Sequence, residues 1–144
     1  MSIREAADAV SIRALLDYLN LCHDASLRRI TFMKKREFDA AGDLVYPFTD
    51  MKDAVKCDIE IELLLNSYRD ALPEQIVLLY FMAVQSFRFC QQETYDYSDI
   101  RQVDFRPSQT GMFEFCFSAT QKEIKVLTLV CSKLVCEERG GSSE

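Results

Sequence analysis

The sequence predicts an α+β fold: a mostly antiparallel sheet of about six strands, preceded by one or two short N-terminal helices. Three observations carry this. Val55 to Leu65 alternates apolar and charged residues, the period of a strand with one buried face. Phe113, Phe115 and Phe117 alternate with Glu114, Cys116 and Ser118 in the same way. Ile12, Leu15, Leu16 and Leu19 instead follow the i, i+3, i+4, i+7 spacing of an amphipathic helix.

Taken in order, Ser2 and Glu5 have the spacing of a capping box, which predicts a helix from about Ile3. The apolar stripe from Ile12 to Leu19 belongs to that helix or to a second one. The period changes after Asp24. Leu27 to Met33 predicts a strand with Ile30 and Phe32 on one face, and Arg28, Arg29, Lys34, Lys35 and Arg36 around it suit a solvated edge. Residues 37–54 read as a long loop or a strand excursion. From Glu37 to Glu62, eight acids face two lysines.

Asp58, Glu60 and Glu62 fall on the polar face of the alternating strand and predict a solvated acidic ladder. The uninterrupted apolar run Ile76–Val84 predicts a central strand, continued by Phe87 and Phe89. Further strands are expected at Arg101–Phe105, Phe113–Phe117 and Ile124–Cys131, the last extended by Leu134–Cys136. A turn ending at Gly111 separates the first two. Residues 1–136 form one domain in this reading, and residues 137–144, with Gly140 and Gly141, a flexible tail.

Composition narrows the function. The chain has 144 residues, enough to bury one sizeable core, and a formal charge of −6, which disfavours nucleic acid and suits a basic partner. Its charged start lacks the apolar core of a leader, and no apolar run is long enough to span a bilayer, so the expectation is a cytoplasmic protein without membrane contact. None of the six cysteines has zinc-knuckle or redox spacing; they read as reduced thiols. No phosphate-binding loop, dinucleotide fingerprint or calcium loop is present, and neither cofactor nor metal is expected.

His23 is the only histidine. Acyl transfer needs a nucleophile within reach of a base, and the adjacent Cys22 points elsewhere on an extended chain. His23 and Asp24 are expected to bond locally where helix turns into strand. No catalytic residue is assigned, and the chain is read as a non-enzyme. The segment Gln91 to Asp99 mixes two tyrosines with acids between two strands, a composition found at interfaces that match basic partners. Tyr95, Asp96, Tyr97 and Asp99 are the first candidates for partner binding, with Asp58, Glu60 and Glu62 as a second acidic face.

Several segments together resemble one family. They are the His23-Asp24-Ala25 turn, the acid-alternating Asp58-Ile59-Glu60-Ile61-Glu62-Leu63, the Val84-Gln85-Ser86-Phe87-Arg88-Phe89 stretch and the late Val130-Cys131-Ser132-Lys133-Leu134-Val135. The pattern, over Leu21 to Cys136, is similar to small β-rich bacterial proteins that include immunity proteins of polymorphic toxin systems. Glu37 to Asp53 is longer than the compact first hairpin of that group. The resemblance implies binding and neutralisation of a cognate toxin, often a nuclease or another basic effector. A phage-encoded inhibitor of a bacterial defence complex and a structural or assembly subunit are the alternatives.

Overall fold

The computed structural model describes residues 2–34, 37–38, 40–45, 57–65, 73–90, 98–119 and 124–139. Strand β1 (Ser2–Ala6) comes first, where the Ser2/Glu5 spacing predicted a helix. The helix α1 runs Ala9–Tyr18. The capping box that starts it is Asp8 with Ser11: the Asp8 carboxylate accepts the Ser11 N–H at 2.7 Å, and Ser11 Oγ accepts the Asp8 N–H at 3.2 Å. This backbone bond, reinforced by the Ser11 side chain, holds the Asp8 carboxyl below its ordinary range. Ile12, Leu15, Leu16 and Leu19 are buried, as their spacing predicted.

The following strands are β2 (Ala25–Met33), β3 (Glu37–Phe38), β4 (Leu44–Val45), β5 (Cys57–Leu65), β6 (Gln75–Val84), β7 (Ser86–Phe89), β8 (Asp99–Pro107), β9 (Phe113–Ala119), β10 (Lys125–Cys131) and β11 (Lys133–Arg139). Strands β3 and β4 pair as a small separate hairpin within the segment read as a loop or strand excursion. The other nine form one antiparallel sheet in the order β1-β11-β6-β5-β2-β8-β9-β10-β7.

Nine strands stand in this sheet where about six were expected: β1 is one addition, and the other two have a local reason. Strands β6 and β7 are one chain segment bent at Ala83–Gln85, and β10 and β11 are one segment bent at Ser132. They pair along both halves, Phe81 with Leu134 on one side of the bend and Phe87 with Leu129 on the other. Gln85 N–H donates to Val130 O at 2.9 Å, and Ser132 N–H to Met82 O at 3.2 Å, so the ribbon stays hydrogen-bonded through its bend. Since β7 continues β6, the end of the strand order returns to its middle, and the sheet closes on itself around one core.

That core takes alternate residues from every wall: Ile59, Ile61 and Leu63 of β5, Val77, Leu79 and Phe81 of β6, Phe115 and Phe117 of β9, Leu127 and Leu129 of β10, Leu134 and Cys136 of β11. The Phe81 ring meets Phe115 and Phe117 edge-on, at 5.1 and 6.0 Å between centroids, joining opposite walls. The buried face of α1 adds Ile12, Leu15 and Leu16 to this core, and its C-cap adds Leu19. At its rim, Glu138 Oε1 accepts Arg4 Nε, while Glu138 Oε2 accepts the Tyr18 hydroxyl and Gln75 Nε2, each at 3.2 Å. Arg4 also lies over the Tyr18 ring, 3.9 Å from its centroid.

Strand β2 lies between β5 and β8 in the sheet order, but its ladder with β8 covers only Ala25 and Ser26, so among the described residues Leu27–Met33 is paired along β5 alone. Strand β11 runs through Glu137, Glu138 and Arg139, past the expected end of the domain at residue 136. The charged letters hid this continuation: Glu137 is buried on one face, and Glu138 closes the core rim on the other.

Candidate functional site

The site is built by sheet register, since residues paired across antiparallel strands point to the same face. On the outer face of β2, β5, β6, β11 and β1, one row reads Arg29–Glu62–Leu78–Glu137–Ile3. The next reads Thr31–Glu60–Tyr80–Val135–Glu5. A third, on the other side of the first, runs Asp99–Ser26–Leu64–Ile76–Arg139. The acid-alternating pattern of β5 and the start of β8 therefore contribute to one continuous sheet face, buried at Leu78 and Glu137.

Leu78, fully buried, sits between Glu62 and Glu137 at its centre. The Tyr80 hydroxyl donates to Glu137 Oε2 at 2.9 Å. Burial, then the bond to Glu137, pushes the Tyr80 phenol up to about 12. Among the sheet carboxylates, Glu60 and Glu62 have side chains only 15% exposed.

The predicted solvated ladder and the predicted basic edge are in fact each other's partners. Arg29 reaches Glu62 at 3.6 Å and Glu60 at 3.9 Å, and Arg28 reaches Glu62 at 3.6 Å. A bulge between Leu27 and Arg29 brings consecutive arginines to Glu62. Sequence reading missed this because pairing partners are set by topology. Glu137 and Tyr80 were missed for another reason: one lay in the presumed tail, the other inside an apolar run.

Asp58 has a different task. Its Oδ1 accepts the backbone N–H of Ala83 at 2.9 Å, holding the bend of the β6–β7 ribbon. Asp99 starts β8 opposite Ser26. Tyr95, Asp96 and Tyr97 lie outside the described residues.

His23 sits after a left-handed turn in which Asn20, Leu21 and Cys22 have φ of 54, 55 and 53°. Asp24 follows with φ 59°. His23 Nδ1 lies 3.0 Å from Asp24 Oδ2, and both side chains are exposed. Cys22 points the other way, into the core, where burial pushes its thiol up to about 12. A thiol held protonated and facing away from the imidazole does not make a nucleophile–base pair with it.

Among the described residues, no group of three or more His, Cys, Asp or Glu is placed to hold a metal ion. No helix among them is long and apolar enough to cross a membrane. No family model, curated protein or solved structure matches the chain.

Proposed function

We propose that this chain is a non-catalytic binding protein that neutralises a basic protein partner, in the manner of an immunity protein. The observation that carries the reading is the gathering of Glu60, Glu62, Glu137 and Asp99 with Tyr80 on one outer sheet face, flanked by the 62% exposed Ile3. Carboxylates beside a half-buried tyrosine and the exposed Ile3 suit a basic, partly apolar partner surface. The arginines that pair with these acids today are half exposed, so a partner's arginines can take over some of the same oxygens. Net charge of −6 favours encounter with such a partner and disfavours a nucleic acid.

The test is affinity capture from the native host with the tagged chain, followed by the double variant Glu60→Gln/Glu62→Gln. A basic protein held by the natural chain and lost by the variant supports the reading. Capture that is indifferent to the variant removes this face as the interface. A measured catalytic turnover that disappears in His23→Ala, with the fold intact, overturns the non-catalytic assignment.

A further inference from the structure

The opposite half of the sheet carries a surface of contrary sign. On the outer face of β7, β10, β9 and β8, one row reads Arg88–Thr128–Cys116–Asp104 and the next Ser86–Val130–Glu114–Arg106. Lys125 stands opposite Ser118 at the start of β10. A hollow of about 580 Å³ opens here, bordered by Arg88, Phe89, Arg106, Glu114, Lys125 and Thr128. A smaller one of about 220 Å³ adjoins it and shares Arg106, Glu114 and Lys125.

The charges in the larger hollow are unequally committed. Arg106 is occupied: its Nε and one terminal nitrogen both reach Glu114 Oε1, at 2.9 and 2.8 Å. Arg88 and Lys125 form no ion pair among the described residues. Among the described residues of its lining, three cations thus face one carboxylate in a concave site of a chain that is acidic as a whole. Confining an excess of cations in a hollow focuses their field on whatever enters. A volume near 580 Å³ is that of a small-molecule site.

We propose that this hollow binds a small phosphate monoester. Arg88 and Lys125 take phosphate oxygens from two different strands, the Thr128 hydroxyl donates to a third, and Phe89, 38% exposed, lies along the organic group. A single planar carboxylate is satisfied by one guanidinium fork, whereas separate guanidinium, ammonium and hydroxyl donors match a multiply charged tetrahedral anion. The site is on the half of the sheet away from the acidic face and stands or falls independently of the partner proposed above.

Phenyl phosphate is the probe, titrated into the full chain by calorimetry, with phenol and benzoate alongside. Saturable binding of phenyl phosphate is expected, with phenol silent and benzoate weaker. Arg88→Gln and Lys125→Gln each weaken it by about tenfold or more, the scale of losing a charge-assisted hydrogen bond. Arg139→Gln, which removes the same charge from the other half, leaves it unchanged. Both hollow side chains are exposed, and circular dichroism verifies that each variant keeps its sheet. Absence of saturation, equal weakening by Arg139→Gln, or benzoate binding as tightly as phenyl phosphate overturns the proposal.

Discussion

Asp58 Oδ1 and the backbone N–H of Ala83 are 2.9 Å apart, and this bond fixes the bend at which β6 becomes β7. The register between β5 and β6 shifts by one residue between Cys57 and Ile59, leaving an extra residue on β6 whose amide has no ladder partner. Asp58 fills that vacancy from the adjacent strand. Asp58→Ala is expected to destabilise the fold by about 1–3 kcal/mol, the cost of an orphaned donor, and Asp58→Asn by much less because its amide oxygen still accepts. Urea denaturation of both variants checks this, and equal losses would remove the bulge from Asp58's role.

Ala83 itself has φ of 55°, in the left-handed region. A residue with a Cβ loses about 1–2 kcal/mol there, whereas glycine adopts it freely at some cost in unfolded-state entropy. Ala83→Gly is therefore expected to leave stability unchanged or raise it by up to about 1 kcal/mol, the reverse of the usual effect of glycine in a strand. Ala83→Val is expected to lower it. Thermal melts of the two variants give the sign directly.

Burial pushes the thiols of Cys22, Cys131 and Cys136 up to about 12, and none of the six cysteines is in a disulfide. These three are buried, while Cys57, Cys90 and Cys116 are partly exposed. A thiol reagent at pH 8 is expected to label at most the latter three in the native protein and all six after denaturation. Mass spectrometry of the labelled peptides reads this out; prompt labelling of Cys22 would contradict its place beneath the left-handed turn.

Much of this fold was legible because one-sided burial writes a period into a strand. The alternations at Cys57–Leu65 and Phe113–Ala119, and the helical stripe from Ile12 to Leu19, each reflect one wall of a single core. What the letters concealed was long-range. Ser2–Ala6 has no strong period of its own and becomes a strand because β11 offers it a ladder. The bends at Ala83 and Ser132 split two predicted strands without any glycine or proline to announce them. Asp58, Glu60 and Glu62 were visible as an acidic series. Their fates diverge, since one caps a bulge and two meet arginines far back in the sequence, on β2, and only pairing order decides that.

Tyr80 ties the acidic face to alkaline stability. Its phenol ordinarily ionises near 10, and burial together with the bond to Glu137 moves this up to about 12 in the folded chain. The unfolded state then loses the proton first. The contribution is full below pH 10 and falls away as pH rises toward 12. The three buried thiols act in the same sense from about pH 9 upward, starting from their ordinary value of 9.0. Stability is expected to decline from pH 9 onward, with a shallower decline in Tyr80→Phe, which at neutral pH costs about 1–2 kcal/mol for the acceptor left on Glu137. Denaturation midpoints measured across this range settle both, and parallel curves for the two proteins would count against a buried phenol.

The C-terminal strand offers the sharpest contrast between letters and structure. Glu137, Glu138 and Arg139 read as the start of a charged, glycine-rich tail, yet they pair with Val77, Ile76 and their neighbours on β6, and Glu138 pairs with Ser2 on β1. Glu137 accepts the Tyr80 hydroxyl, and Glu138 accepts three donors that join α1, β1 and β6. Truncation after Cys136 is therefore expected to destabilise by several kcal/mol relative to a chain ending at Arg139, since it strips ladder bonds from two strands and orphans the Tyr80 hydroxyl. Each lost bond contributes about 0.5–1.5 kcal/mol. Glu138→Gln, which keeps one acceptor oxygen but loses the charge facing the exposed Arg4, is expected to cost less than the truncation. If the Cys136 truncation melted with the same midpoint as the longer chain, the end of β11 would carry no part of the fold's stability.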